Sequence, residues 1–320
     1  MNIKQSVFVY FCAILYVFIT GLSYLFTKVA LEITDPVDTL AHRFTFSFIA
    51  ILIPIFSNKI KIQINMQRMK KLLPLVIVYP VTFLVFLTFG LEFATSSEGA
   101  ILQASAPIFT MILASVFLKE RTNFLQKSSI ILSVIGVAFI FIMKGTGVQF
   151  NSLTGIILLL LAAVIFAGYS ILSRFLSKDF KPSEITFFML AGGFISFNFV
   201  AIVKHLMDGS IRSLFAPVMD IEYFSLMIYL GILSTLVAAL LVNYVLSKLD
   251  AAKVMVFANL SPVISIIAGA IFLGESIFYY HIIGTIMIIA GVLGTNVFSK
   301  KKITFRTKKR VLNKSVGSSS

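Results

Sequence analysis

Four polar side chains stand deep inside otherwise apolar stretches of this sequence: Arg43, Gln103, Asn243 and Asn259. Each is costly in hydrocarbon, so each must face protein or a water-filled space, and each is a candidate ligand contact. Arg43 lies past Pro36 by about 10 Å of helix. Its guanidinium suits an anionic or carboxylate ligand, and equally an anchor on Asp38 or on helix-end carbonyls. Gln103, Asn243 and Asn259 offer amide donors and acceptors to a ligand; as glue between helices they would look the same. Pro107 and Pro262 fall well inside apolar runs. A proline there removes a backbone hydrogen bond and clashes with the preceding turn, so both helices are predicted to kink, as flexing gates or as static bends. Glu98, Glu120, Glu275 and His281 are the titratable groups that could carry a proton, but they fall near helix ends, where water reaches them. Catalytic chemistry is not indicated. The three histidines, His42, His205 and His281, are spread along the chain, and Cys12 is the single cysteine. No zinc spacing, phosphate-cradling glycine loop or nucleophile elbow occurs. No catalytic residue, metal or cofactor is expected.

The elements that must position these residues are helices in lipid. Hydrophobic residues make up 58% of the chain and charged residues 12%, and the mean hydropathy is +1.00, too apolar for a single water-facing globule. Ten runs of about 20 apolar residues are expected to cross the bilayer: 7–31, 36–56, 72–91, 99–119, 125–143, 153–173, 185–204, 223–247, 252–273 and 279–298. The runs are continuous rather than alternating, which excludes a barrel. The net charge of +14 resembles a nucleic-acid signature until the basic residues are located. With the N-terminus in the cytoplasm, 22 of the 27 Lys and Arg residues fall on the cytoplasmic side, including eight in a basic tail, 299–320. That asymmetry is the positive-inside pattern, it sets both termini in the cytoplasm, and it removes nucleic acid as a partner. The tail is expected to be solvated and partly disordered.

The chain also repeats. A shift of 155 residues lays Ala94–Phe141 on Leu249–Asn296, with Pro107 on Pro262, Phe117-Leu118 on Phe272-Leu273, Glu120 on Glu275 and Gly136-Val137 on Gly291-Val292. A weaker match at 146 residues lays Pro36 on Pro182. Two units follow, 1–144 and 151–298, each of five helices. An odd number makes the second unit enter from the opposite face, so the fold class is all-α, ten transmembrane helices as two inverted five-helix repeats. Such a pair opens alternately to either side around a central site. Gly136, Gly284, Gly291 and Gly294 permit close helix approach, either between the repeats or between protomers of a homodimer.

Ala94-Thr-Ser-Ser-Glu-Gly-Ala, Ala106-Pro107, Phe117-Leu118-Lys119-Glu120-Arg121 and the counterpart Ser261-Pro262 and Phe272-Leu273-Gly274-Glu275 resemble the drug/metabolite transporter superfamily, specifically its EamA-type ten-helix carriers. Pro36 followed by Arg43, and Gly21-x-Ser-Tyr-x-x-x-Lys28, also fit. The resemblance covers residues 7–298. Two departures stand out: the chain has no tryptophan, where the family often has one near the end of its first helix, and Glu98 replaces a small or amide residue. The resemblance implies a secondary transporter of a small metabolite or drug-like solute, with amino acid or amine export among the candidates, in a bacterial cell membrane. It also implies that the first, third, sixth and eighth helices line a central cavity, which singles out Tyr24, Tyr79, Phe83, Tyr169 and Tyr229. Each of the tyrosines offers a ring face and a hydroxyl to a partly apolar ligand or an organic cation, and Phe83 a ring face. The competing reading is a membrane-embedded lipid-handling protein, a scramblase or a transferase.

Overall fold

The computed structural model of the chain describes residues 3–60, 62–63, 65–94, 99, 102–103, 105–119, 122–143, 153–273 and 277–316. No strand occurs among them. Ten helical rods follow in chain order: α1 (Ile3–Ile33), α2 (Pro36–Phe56), α3 (Met66–Phe93), α4 (Ala106–Phe117, with Leu102 and Gln103 helical just before it), α5 (Phe124–Met143), α6 (Leu153–Leu176), α7 (Pro182–Met207), α8 (Ile221–Lys248), α9 (Ala251–Ala258 continued by Ser261–Leu273) and α10 (Tyr279–Val316). Among the described residues α1, α2, α3, α6, α7 and α8 are long and apolar enough to cross a bilayer, and the other four carry shorter apolar stretches. Large apolar side chains stay exposed along these rods, Phe8, Phe11 and Phe18 on α1, Ile49 and Ile53 on α2, Ile195 and Phe199 on α7. That pattern belongs to a protein solvated by lipid, and the chain is a multi-pass membrane protein.

Local chemistry sets the helix starts. Asp35 caps α2, its carboxylate accepting the Val37 and Asp38 amides, and Pro36 takes the first helical position, where no amide donor is required. Asp220 caps α8 in the same way through the Glu222 and Tyr223 amides. Glu184 reaches back to the Lys181 amide at 2.9 Å to close the start of α7. His281, expected as a possible proton carrier, accepts the Phe278 amide at the start of α10. Glu98, Glu120, Glu275 and the join between the two expected units, residues 144–152, lie outside the described residues. α10 runs on into the basic segment as far as Val316, where a solvated, partly disordered tail is expected; no glycine or proline interrupts 295–316.

Two breaks differ from the expected proline kinks. Pro107 and Pro262 are each the second residue of a helical segment, Ala106–Phe117 and Ser261–Leu273, and not interior to one. The missing proline amide falls in the first turn, where it costs no intrahelical bond. The rods are broken just before the prolines instead. There Ser105 bonds to the Leu102 carbonyl, and Asn259 and Leu260 bond to Val256 and Phe257, all three residues back. The sharper irregularities lie in α3 and α8, which carry matching π-helical segments at Ile77–Thr82 and Ile228–Val237. In each, a threonine hydroxyl donates to the carbonyl five residues back, Thr82 to Ile77 and Thr235 to Leu230, both at 2.7 Å. Tyr79 in α3 leaves helical geometry altogether, with φ −143° and ψ 123° ahead of Pro80.

Packing keeps the repeat. α5 lies on α10, α2 on α7 and α4 on α9; α3 lies on α6 as α8 lies on α1, α4 on α6 as α9 on α1, and α3 on α7 as α8 on α2. Exchanging each rod for the one five further on leaves this set unchanged, and an odd offset makes the partners antiparallel. The ion pairs sort accordingly. Asp35 and Asp38 meet Lys204 and His205 at one end, and Arg68 meets Glu184, with Arg174 near Asp250, at the other. The small-residue stripe joins α5 to α10 within the chain. A Cβ on Gly136 would stand 2.8 Å from the Gly284 carbonyl oxygen, and one on Gly291 2.5 Å from that of Ser129.

Candidate functional site

A cavity of about 740 Å³, including its open mouth, lies where α1, α2, α3, α4, α6, α8 and α9 converge. Its polar wall is a stripe on α1, Tyr16, Thr20, Ser23, Tyr24 and Thr27, spaced at three and four residues so that all share one face. Arg43 enters from α2, Gln103 from α4, and Ser234 and Ser261 from α8 and α9. The apolar wall is Tyr79 and Phe83 on α3 with Phe166 on α6. The π-helical segment of α3 carries Tyr79, and that of α8 carries Ser234, so both irregular segments face the cavity.

Arg43, whose guanidinium enters the cavity wall, is only 5% exposed as a residue. It donates from Nε to the Thr235 hydroxyl at 2.5 Å and from one terminal nitrogen to the Ser234 hydroxyl at 2.9 Å. Both hydroxyls are themselves tied down: Thr235 donates to the Leu230 carbonyl and Ser234 to Ser23, each at 2.7 Å. The anchor expected on Asp38 or helix-end carbonyls is not formed. Asp38 is taken by His205 at 2.8 Å, with Lys204 at 3.8 Å, and no described carboxylate lies against Arg43. Arginine has five N–H donors, and two of these are occupied. Tyr24 and Tyr79 line the same cavity and fall within electrostatic range of the guanidinium; neither hydroxyl has a partner among the described residues. Gln103 donates to the Leu159 carbonyl at 3.2 Å, while its Oε1 is buried without a donor.

The rings form a raft. Tyr79 stacks on Phe83 with centroids 5.0 Å apart, Phe83 on Phe166 at 4.9 Å, and Tyr79 on Tyr169 at 4.4 Å. Three of these rings, Tyr79, Phe83 and Phe166, make the apolar side of the cavity.

Five of the expected contacts, Tyr24, Arg43, Tyr79, Phe83 and Gln103, thus converge on one cavity. Four do not line it. Tyr169 backs the raft and donates to Asn243 Oδ1 at 2.8 Å. Asn243 also accepts from Ser173 at 2.7 Å and donates to Thr186 at 3.0 Å, tying α6, α7 and α8 together. Asn259 donates to Ser133 at 2.8 Å, joining α9 to α5. Tyr229 donates to the Ile19 carbonyl at 2.7 Å. Tyr169, Tyr229 and Asn243 spend their polar atoms on neighbouring helices, as does the Asn259 amide nitrogen, while Asn259 Oδ1 is buried without a partner among the described residues. Conversely, Thr20, Ser23, Thr27, Ser234 and Phe166 were not anticipated as site residues. The three- and four-residue spacing of polar side chains along α1, and the Ser234-Thr235 pair in an apolar run, were the available signals.

The chain matches the EamA-like transporter family over residues 7–142 and again over 153–297. It is similar to YcxC, an uncharacterized transporter of Bacillus subtilis strain 168, with 43% identity over 293 residues that span 92% of this chain and 94% of that one. An uncharacterized transporter of Archaeoglobus fulgidus is 26% identical over 85% of this chain and 92% of its own. A solved crystal structure shares the fold, with a TM-score of 0.71 across 94% of this chain and 99% of that one, at 16% identity. With the family's pattern present twice and a relative this similar along nearly its whole length, the chain belongs to the EamA-like transporter family.

Proposed function

We propose that this protein is a secondary carrier that moves a small organic solute across the cytoplasmic membrane by alternating access. The observation that carries the reading is a cavity at the convergence of rods from both five-helix sets, lined by a fixed guanidinium, free hydroxyls and stacked rings. Inverted sets around one site supply two near-equivalent packings, which is what opening to either side requires. The breaks before Pro107 and Pro262, in rods that pack on one another, give each set a joint beside the cavity. The distribution of Lys and Arg supports a cytoplasmic location for both termini. The four residues that bond to neighbouring helices, Tyr169, Tyr229, Asn243 and Asn259, hold the cavity's shape.

Counterflow tests the reading. Purified protein in liposomes preloaded with a solute should accelerate uptake of the same labelled solute from outside. A folded preparation that exchanges nothing across acids, amino acids, amines and nucleosides refutes carrier function. Redistribution of labelled lipid between leaflets under the same conditions would favour the lipid-handling alternative.

A further inference from the structure

We infer that the solute of this cavity is a net monoanion: an organic acid whose carboxylate sits on Arg43 and whose planar, largely apolar body lies on the rings of Tyr79, Phe83 and Phe166. This rests on the carrier reading and names its substrate class.

The charge balance of the cavity leads to it. Among the described residues lining the cavity there is one fixed cation, Arg43, and no acid. An isolated buried charge is held at high cost in apolar surroundings, and the cost falls when a counter-charge arrives. The two occupied donors of Arg43 go to hydroxyls, which orient the guanidinium without neutralising it. The remaining N–H groups suit the fork of a carboxylate, and that match is stronger than any neutral hydrogen bond. The Tyr24 and Tyr79 hydroxyls are two further donors on the same cavity wall, without a described partner. A monoanion answers the guanidinium and both phenols and balances the charge of the described lining residues.

Other charge classes fit worse. An organic cation would share a low-dielectric space with Arg43 and meet no described carboxylate. A zwitterion would place its carboxylate well but leave its ammonium with no carboxylate among the described lining residues.

One ring with three charges makes the test. Indole-3-acetate, tryptophan and tryptamine carry the same indole with net charge −1, 0 and +1 at neutral pH. The chain contains no tryptophan, so indole fluorescence reports the probe alone. Binding to purified protein in detergent should fall in the order indole-3-acetate, tryptophan, tryptamine. Arg43→Gln should weaken indole-3-acetate by roughly 10- to 100-fold, the equivalent of one lost charge-assisted contact, and Arg43→Lys by less. Tyr79→Phe removes one hydroxyl and keeps the raft, so it should weaken indole-3-acetate by several-fold and decides the matter if the Arg43 variants do not fold. Failure of indole-3-acetate to bind folded native protein, tryptamine binding as well or better, or folded Arg43→Gln with unchanged affinity would each overturn the inference. Proteoliposome counterflow separates the two claims. Binding of indole-3-acetate without exchange sinks the carrier and leaves the ligand class standing, whereas exchange of tryptamine but not indole-3-acetate does the reverse.

Discussion

Replacing Gly291 by alanine should destabilise the protein, although the same change at a helical glycine ordinarily stabilises. In an open helix, Gly→Ala gains up to about 1 kcal/mol from reduced backbone entropy. Gly168 on α6 is such a position, with no atom within 4 Å of the Cβ it would acquire. At Gly291 the added carbon would stand 2.5 Å from the Ser129 carbonyl oxygen, 2.6 Å from Ser133 Cβ and 2.8 Å from the Ser133 amide nitrogen. Ordinary contact begins at 3.4 Å, so α5 and α10 would have to part by most of an ångström. Two of the three obstacles are backbone and cannot rotate aside. Nor can the rods separate freely: Asn123 donates to the Phe298 carbonyl at 3.1 Å and Gln126 to that of Thr295 at 3.4 Å across the same seam. Overpacking of this kind costs roughly 1–3 kcal/mol, and lipid supplies no hydrophobic force to press the helices back together. Reversible unfolding by dodecyl sulfate, followed by circular dichroism, should show Gly291→Ala below native by about 1–2 kcal/mol net of the entropic gain. Gly168→Ala should be level with native or above it. A Gly291→Ala protein as stable as Gly168→Ala would refute the claim that direct backbone contact closes this seam.

Three further outcomes follow from the packing. Asn243→Leu removes three interhelical hydrogen bonds, at about 0.6 kcal/mol each in membrane helices, so unfolding should shift by about 2 kcal/mol while probe affinity in the folded protein stays near native; a collapse of affinity at native stability would return Asn243 to the binding site. Arg68→Gln leaves the Glu184 carboxylate, only 5% exposed, with the Lys181 amide but no counter-charge and should cost about 3 kcal/mol, whereas Lys71→Gln breaks an exposed 4.0 Å pair with Asp179 and should stay within about 0.5 kcal/mol in the same assay. At Asp35, burial alone would raise the carboxyl, but the Lys204 hydrogen bond and the Asp38 and Val37 amides outweigh it and hold the group below its ordinary value. Its contribution is therefore complete above the unfolded carboxylate value of about 4 and is lost as pH falls through the lower folded one. Unfolding measured from pH 7 to about pH 3 should show an acid-side loss that Asp35→Asn reduces, and identical profiles would exclude it.

Much of the fold was legible in the chain because crossing a bilayer is a local property. A helix of about 20 residues satisfies its own backbone, so apolar runs alone mark where α1 to α10 lie, and capping residues such as Asp35 and Asp220 mark where helices begin. The irregular segments were less legible. Pro107 and Pro262 announce a break, but the register decides whether a proline sits inside a helix or opens its next segment. The π-helical parts of α3 and α8 depend on hydroxyl bonds that threonine can make in many contexts.

The candidate site divides along the same line. Composition, the distribution of Lys and Arg and the repeat at 155 residues by themselves determined a multi-pass, two-unit membrane protein and the short roll of polar side chains that lipid would not tolerate. Only the tertiary structure decided which of those side chains face a cavity and which face a neighbour. Asn243 and Gln103 are alike in type and in burial, yet one is saturated by α6 and α7 while the other lines the cavity and keeps a buried oxygen without a partner among the described residues. Arg43 finds its partners at Ser234 and Thr235, some 190 residues away, rather than at Asp38 a turn above it. The reason is physical: hydropathy is summed along the chain, whereas a polar atom's partner is set by the rotation of each helix against helices distant in sequence.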